Sequence, residues 1–255
     1  MFSVVVPIYN HAAFIAQAVR SAQQSSLVGE ILLVDDGSSD GSADIAAALA
    51  AAGADGLRNI ARVGNIATNG GNRGAPYRLN QLVELAECEW VAVLNSDDLF
   101  LPGRFEAIAA SPEFSSSDFI FGNVLFVDQR GALTGAKRGP FDFGLSSPPS
   151  MQQLSELLAL ENYIVTTSNM IFRKTLHARA GGFADLRYVH DWDFALRALA
   201  MARPLYVPRF LTAYRRHARN TILENEAKFK SERKIMLERY SRDFPATLPH
   251  ARASI

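Results

Sequence analysis

The chain has 255 residues, of which 48% are apolar, and its 26 Lys and Arg residues balance its 26 Asp and Glu residues. This length and apolar content suffice for one large or two small globular domains and exclude general disorder. A formal net charge of zero at pH 7 gives no electrostatic reason to expect nucleic acid or an anionic membrane as the main partner, so any anionic ligand must be held locally.

The first half of the chain alternates short β-branched runs with helical periodicity, which is the pattern of βαβ units and a mostly parallel sheet. Strands are predicted at Phe2 to Val6, Ile31 to Val34, Leu57 to Ala61 (weak) and Trp90 to Leu94. An apolar helical face is predicted on each of three segments between them: Phe14, Ile15, Ala18, Val19 and Ala22; Ile45, Ala48, Leu49 and Ala52; and Leu79, Leu82, Val83 and Ala86. We expect Asn10 to be the N-cap of the first helix, and Pro102 to begin a helix after the fourth strand.

Beyond about Ser111 the pattern is less regular. It predicts strands at Phe119 to Val127 and Ile164 to Phe172, a loop at Phe141 to Ser150, and a helix with its apolar face on Trp192, Ala195, Leu196 and Leu199. The segment from Ile222 to about Tyr240 is predicted to be a helix that docks on the body through Ile222, Phe229, Met236, Leu237 and Tyr240. A membrane-surface or dimerisation helix is the alternative for this segment.

The location of the protein is predicted from what the sequence lacks. The longest apolar stretch, Ile45 to Ala54, is mostly alanine and is shorter than the roughly 18 residues that span a bilayer. The N-terminus has no basic leader of the signal-peptide type, and the single cysteine, Cys88, is typical of a reducing compartment. We therefore expect a cytoplasmic protein with at most peripheral contact to the inner face of a membrane.

Polar residues follow three of the predicted strands, and ligands of open α/β sheets bind outside such carboxyl ends. Asp97 and Asp98 are adjacent carboxylates that would repel each other in a dry site unless they share a cation, and oxygen ligands suit Mg²⁺ or Mn²⁺. The alternative is that they only turn the chain and cap the next helix. Asp36 offers a carboxylate to a ribose or base N–H, and Tyr9 offers a ring for stacking on a base. As alternatives, each has an ordinary structural role, in a turn and at the edge of the core.

Two further groups lie in the second half. Asp191 falls at the start of a predicted helix, where free amide groups favour the ionised carboxylate, so it suits either a general base or a helix cap. The run from Tyr214 to His217 ends an apolar segment and contains three groups that can bind an anion or a metal ion.

Taken in chain order, the motifs are Pro7 to Asn10, Val34 to Gly41, Asn72 with Gly74 and Asn80, Leu94 to Asp98, Gly181 to Phe183, His190 to Asp193, Arg197, and Tyr214 to Thr221. This order resembles the inverting family 2 glycosyltransferases of GT-A fold over about Ser3 to Thr221. Asn95 departs from the family pattern by replacing the first aspartate of its metal motif, and His190 replaces the commoner Glu before the catalytic aspartate. Leu79 stands where an arginine often precedes the matched Asn80.

The resemblance implies an α/β fold of GT-A type, in which a Rossmann-like, mostly parallel sheet is flanked by helices. Residues 1–110 would form the nucleotide-sugar half, 111–221 the acceptor-side and catalytic half of the same domain, and 222–255 a helical C-terminal segment. Asp191 would be the catalytic base, and the metal ligands would be Asp97, Asp98 and His217. The residues expected to bind the nucleotide are Pro7, Tyr9, Asn10, Asp36, Asn72, Asn80, Ser96 and Asp97. Those expected near the acceptor are Ser168, Asn169, Gly182, His190 and Trp192, and those near the diphosphate are Arg78 and Arg216.

The function implied is metal-assisted transfer, with inversion, from a nucleoside-diphosphate sugar to a hydroxyl of a saccharide or lipid-linked acceptor. UDP is expected over GDP or dTDP, with Mn²⁺ or Mg²⁺ as cofactor, in synthesis of a cell-surface polysaccharide or glycolipid. One alternative is a non-catalytic nucleotide-sugar-binding module, which Asn95 favours. The other is a sugar-nucleotide pyrophosphorylase, which would carry a Gly-rich basic loop where this chain has Pro7 to His11.

Overall fold

The computed structural model of the chain describes residues 1–53, 72–144, 150–220 and 224–245. Within these residues one sheet contains eight strands in the order β2-β1-β3-β7-β5-β8-β4, with β6 paired to β5. The strands are β1 (Phe2–Ile8), β2 (Val28–Asp35), β3 (Trp90–Val93), β4 (Leu99–Phe100), β5 (Phe119–Asp128), β6 (Leu133–Lys137), β7 (Ile171–Arg173) and β8 (Pro204–Arg216).

Helices cover both faces of this sheet. They are α1 (Ile15–Ala22), α2 (Ser42–Gly53), α3 (Ala75–Leu85), α4 (Arg104–Ala109), α5 (Met151–Leu160), α6 (Lys174–Arg179), α7 (His190–Leu199) and α8 (Glu226–Asp243). Successive side chains of a strand point to opposite faces, so Val4 and Val6 of β1 pack in the core with α1, whereas Val5 packs in the core with α3 and α7. Burial on both faces explains the continuous apolar runs that predict the strands.

The predicted α/β architecture is confirmed. Strands β1, β2 and β3 run parallel, and β5 and β8 form another parallel pair, while β7 joins the two groups through antiparallel pairings. Helices α1, α3 and α7 bury the predicted apolar residues that they contain. Ala86, the C-cap of α3, is buried as well, whereas Phe14, the N-cap of α1, is only half-buried. In α2 the predicted face is only partly covered: Ile45 and Leu49 are half-buried against the core, whereas Ala48 and Ala52 are exposed. The weak strand predicted at Leu57 to Ala61 lies outside the described residues.

Three local predictions are wrong. Asn10 does not cap α1, because the N-cap of this helix is Phe14. The Asn10 side chain instead accepts a hydrogen bond from the Ser39 amide at 2.8 Å. Helix α4 begins at Arg104 after a left-handed Gly103 (φ +77°), not at Pro102. The strand predicted from Ile164 begins only at Ile171, because the intervening hydroxyl and amide side chains make their own hydrogen bonds and compete with a strand ladder.

The C-terminal helix α8 docks on the body, as one of the two alternatives predicts. Met236, Leu237 and Tyr240 are buried in the same core as α7, and Phe229 packs against it. Ile222 lies outside the described residues, as does Thr221 at the end of the last motif. Among the helices of the described segments, none combines the length and apolar character needed to cross a membrane.

Candidate active site

A cleft of about 710 Å³ lies along the carboxyl ends of β1, β2 and β3, where the sequence places its polar turns. Parallel strands end at the same edge of a sheet, so turns far apart in sequence line one cavity. The predicted site residues that line it are Pro7, Tyr9, Asn10, Asp36, Asn72, Arg78, Ser96, Asp97, His190 and Asp191. The cleft is therefore the place where the predicted donor-binding residues and the predicted base meet.

Asp36 organises one part of this cleft. Its buried carboxylate accepts hydrogen bonds from the amides of Arg73 at 2.9 Å and Gly74 at 2.8 Å, and from Nε of Arg78 at 2.7 Å. Gly74 has φ +86°, a conformation that favours glycine. Tyr9 nearby in the cleft lining is 43% exposed, so its ring is available for stacking. Arg78, predicted near the diphosphate, is thus held by Asp36.

Three side chains from distant parts of the chain form a second cluster. His217 Nε2 lies 3.0 Å from Asp97 Oδ2, and His11 Nε2 lies 3.7 Å from the same oxygen. One candidate ligand atom from each residue lies within 4.8 Å of the others. His11 and Asp97 line the cleft, and the His217 ring stacks on Phe14 with 5.0 Å between ring centroids. One carboxylate and two imidazoles are a donor set that fits a divalent transition-metal ion.

The electrostatics of the cluster favour the protonation states that bind cations. Burial raises the pKa of Asp97, but the hydrogen bond from His217 and the neighbouring imidazoles outweigh burial and lower it overall. Burial lowers the pKa of His11, which Asp97 only partly opposes. Asp97 is therefore ionised and His11 neutral near pH 7, the forms in which carboxylates and imidazoles coordinate metals.

Asp98 does not belong to this cluster. It is fully buried, and its oxygens accept hydrogen bonds from Ser168 Oγ at 2.6 Å, Thr166 Oγ1 at 2.9 Å and the Arg215 amide at 2.9 Å. Burial, together with the charge of Asp97, raises the pKa of Asp98 to about 7. The structure thus does not bring the two adjacent carboxylates to one cation as expected; Asp98 ties the loop before β7 to β8.

Several other predicted contacts are used inside the protein. Ser168 and Asn169 are fully buried; Ser168 holds Asp98, and Asn169 pairs with the backbone of Gly122. Asn80, predicted to bind nucleotide, bonds both the amide and the carbonyl of Phe183, and it crowds Gly182 so closely that a Cβ there would lie 2.7 Å from it. In each case a polar group inside the protein takes the hydrogen bond that the side chain supplies.

Asp191 lies between the main cleft and a second cavity of about 270 Å³, and it lines both. It is the second residue of α7, and the N-cap position belongs to Val189, so the helix-cap alternative is not realised in its usual form. Its carboxylate accepts hydrogen bonds from the Trp192 amide at 2.7 Å and from Nδ2 of Asn162 at 3.3 Å. Burial raises the pKa of Asp191 above its usual range, although His190 and these hydrogen bonds oppose the shift.

The second cavity holds two more of the predicted residues. Trp192 and Arg216 line it with Phe126 and Phe229, and the Arg216 guanidinium lies 3.8 Å from the centre of the Phe126 ring. Arg216 is thus placed beside the aromatic wall rather than on the metal cluster. The indole N–H of Trp192 donates to the Leu158 carbonyl at 2.6 Å, which leaves the ring to form a wall.

Sequence reasoning missed three residues of the site. His11 directly follows the Pro7 to Asn10 turn, and this position in the sequence is the signal that could have identified it as a site residue. Asn162 orients Asp191 by a hydrogen bond, and its Oδ1 accepts a second hydrogen bond from the amide of Val165 at 3.1 Å. Val165 has φ +78°, which is strained for a β-branched residue, and it lines both cavities. Strain of this kind is characteristic of functional sites.

Comparison with known proteins gives matches both in sequence and in fold. Residues 3–181 match the family model described as glycosyl transferase family 2. An uncharacterized protein of Mycobacterium tuberculosis is 30% identical over 230 residues, covering 87% of this chain and 68% of its own length. The succinoglycan biosynthesis protein ExoU of Rhizobium meliloti is 32% identical over 211 residues, and the matched region is 77% of this chain and 56% of that protein.

Solved structures show the same fold at low identity. The crystal structure of Staphylococcus aureus TarS 1–349 with UDP-GlcNAc superposes with a TM-score of 0.69 at 17% identity, covering 99% of this chain and 74% of that one. The mannosyltransferase PcManGT of Pyrobaculum calidifontis, in complex with GDP-Man and Mn²⁺, gives a TM-score of 0.57 at 18% identity, covering 100% and 75%.

Proposed function

The chain belongs to glycosyl transferase family 2 and has the GT-A fold, and from this premise we propose that it transfers a sugar from a nucleoside-diphosphate sugar to an acceptor hydroxyl, with inversion at the anomeric carbon. The observation that carries the proposal is that Asp191 lines both the donor cleft and the adjoining cavity. A carboxylate in that position faces both reactants at once.

We assign the nucleoside to the part of the cleft around Tyr9 and Asp36. The exposed Tyr9 ring offers a stacking surface for the base. The Asp36 carboxylate has about four lone-pair directions and receives three donors from the protein, which leaves one for a ribose or base donor. UDP is our proposed nucleotide, in line with the UDP-GlcNAc that TarS binds.

We assign the diphosphate to the part of the cleft at Asp97, where Asp97 and His217 would hold the expected Mn²⁺ or Mg²⁺. When bound there, a divalent cation supplies positive charge that neutralises the nucleoside diphosphate as it leaves. Four arginines, Arg73, Arg78, Arg187 and Arg219, also line this cleft and add positive charge for the same anion.

In the chemical step the acceptor hydroxyl oxygen bonds to the anomeric carbon as the bond to the phosphate oxygen breaks. The bonding pair leaves with the nucleoside diphosphate, and the hydroxyl proton passes to Asp191. Burial raises the pKa of Asp191, which makes its carboxylate a stronger base. One direct displacement inverts the anomeric configuration. Asn162 and the Trp192 amide hold the carboxylate for this transfer.

We propose a saccharide or lipid-linked acceptor whose reacting end enters the second cavity, where Trp192, Phe126 and Phe229 present aromatic walls suited to the apolar face of a sugar ring. Synthesis of a cell-surface polysaccharide or glycolipid is the proposed setting, as the name of the succinoglycan relative suggests.

The test is a donor panel. UDP-, GDP- and dTDP-sugars are incubated with the purified chain, Mn²⁺ and a set of saccharide acceptors, and nucleoside diphosphate release and the product anomer are measured. Release with transfer and an inverted anomer supports the proposal. Donor binding with no turnover on any acceptor would indicate the non-catalytic module, and formation of nucleotide sugar from sugar phosphate and nucleoside triphosphate would indicate a pyrophosphorylase.

A further inference from the structure

We propose that His11 is a third protein ligand of the cation at Asp97, and that the resulting set of two imidazoles and one carboxylate makes this chain prefer Mn²⁺ to Mg²⁺. The inference rests on the proposed function only in that the cation would serve the donor diphosphate. It concerns a residue that lies outside the motifs by which the chain resembles its family.

The geometry of His11 is that of a ligand facing a site. Its Nε2 lies 3.7 Å from Asp97 Oδ2, too far for a hydrogen bond but suitable for two ligands of one cation. The two imidazole rings of His11 and His217 meet edge to face, with 5.6 Å between centroids and 86° between planes. Both rings therefore converge on one oxygen from different directions, which leaves the cleft side open for diphosphate oxygens and water.

Two other polar side chains of the motif that contains Asp97 are committed elsewhere. Asn95, which stands at the first acidic position of the metal motif, donates to Thr166 Oγ1 at 3.0 Å and accepts from Thr167 Oγ1 at 2.8 Å. Asp98 is fully buried and held by hydroxyl and amide donors. Without His11, the cluster found in the described residues would offer only Asp97 and His217 to a cation.

The surroundings of His11 hold its ring in the orientation that a metal ligand needs. Its Nδ1 lies 2.8 Å from Ser96 Oγ, and the tautomer that donates this hydrogen bond leaves the Nε2 lone pair facing Asp97. Its backbone amide donates to Ser42 Oγ at 2.9 Å, and Ser42 is in turn bonded to Asp40. Ser96 precedes Asp97 directly, so one turn supplies both a ligand and the partner that orients another.

The donor set determines the preference among ions. Mg²⁺ binds oxygen ligands in a demanding octahedron, whereas imidazole nitrogen suits first-row transition metals. A site with two nitrogens and one carboxylate oxygen, completed by oxygens of the diphosphate, should therefore discriminate in favour of Mn²⁺. Loss of one imidazole should weaken Mn²⁺ binding and reduce the factor by which the affinity for Mn²⁺ exceeds the affinity for Mg²⁺.

The experiment measures Mn²⁺ binding to the full chain without nucleotide, by titration with electron paramagnetic resonance of the free ion, in wild type and in His11→Phe. Phe keeps a ring against His217 but offers no ligand. We expect Mn²⁺ affinity to fall by about tenfold or more, and the ratio of Mg²⁺ to Mn²⁺ dissociation constants to decrease. Pulsed resonance should detect two coordinated imidazole nitrogens in wild type and one in the variant.

The controls separate ligation from folding and from function. Asp98→Asn, next to the site but outside the cluster, should retain Mn²⁺ affinity, and thermal unfolding checks that each variant is folded. If His11→Phe does not fold, His11→Gln replaces it. Mn²⁺ affinity within twofold of wild type, or a single coordinated imidazole in wild type, overturns the inference even if the chain transfers sugar. Conversely, His11-dependent Mn²⁺ binding with no transfer from any donor refutes the proposed function and leaves the inference intact.

Discussion

Asp191→Asn is the substitution that tests the proposed chemistry most directly. It keeps the shape of the side chain but removes its ability to accept the acceptor proton. Loss of a general base lowers turnover by about 100-fold to 10,000-fold, which is about 3 to 5 kcal/mol of transition-state stabilisation. Binding of the nucleoside diphosphate should change little, because the groups assigned to it, Tyr9, Asp36 and Asp97, are untouched.

The structure sets the expected cost in stability. In the variant, the Oδ1 of the introduced amide can still accept from the Trp192 amide, which lies 2.7 Å from the carboxylate in wild type. The introduced Nδ2, however, would face Nδ2 of Asn162, which lies 3.3 Å from Asp191 Oδ2, and Asn162 cannot turn over without releasing the Val165 amide. Losing that one hydrogen bond costs about 1 kcal/mol. Removing the half-buried negative charge of Asp191 partly offsets this cost, because burying a charge is itself unfavourable. We expect the free energy of unfolding to fall by no more than about 1 kcal/mol.

The assay compares transfer rates of wild type and variant with one matched donor and acceptor, together with donor affinity and urea unfolding. Wild-type turnover should also decline in acid as Asp191 is protonated, with the decline lying above the usual carboxylate range because burial raises its pKa. The variant should lack this acid limb. A variant that transfers sugar at nearly the wild-type rate would refute the assignment and make the adjacent His190 the next candidate base.

Three more measurements test other parts of the site. Calorimetry should show that UDP binds much more weakly after chelation of divalent cations; equal affinity with and without chelator would remove the metal from the proposal. Asp36→Ala should weaken nucleoside diphosphate binding by about 1 to 3 kcal/mol, because it frees the Arg73 and Gly74 amides as well as any base donor; an unchanged dissociation constant would leave Asp36 a turn residue only. Without metal, Asp98 should contribute to the free energy of unfolding because its pKa rises from 3.8 to about 7 on folding. This contribution should be complete below pH 3.8 and disappear as the pH rises through 7. If the free energy of unfolding of an Asp98→Asn variant had the same pH dependence as wild type, that result would contradict this prediction.

Much of the fold and part of the site are predictable from local sequence. Val4 to Val6 and Ile31 to Val34 are buried on both faces of the sheet, and such strands are visible as unbroken apolar runs. Because parallel strands end at one edge, the polar turns after them predict a cleft there, and Tyr9, Asp36 and Asp97 do line it. These inferences need only neighbouring residues and the geometry of a parallel sheet.

The tertiary structure alone decides which polar side chains face the cleft. Asp97 and Asp98 are identical in type and adjacent, yet one meets His11 and His217, while the other is enclosed by hydroxyl and amide donors from β8 and the loop before β7. Asn80 likewise serves the backbone of Phe183, which is 103 residues away. A buried backbone amide or carbonyl must find a partner, and which side chain is near enough to supply it depends on contacts between distant segments. Local sequence therefore determines where the cleft forms, and long-range packing determines which of its polar residues remain available to a ligand.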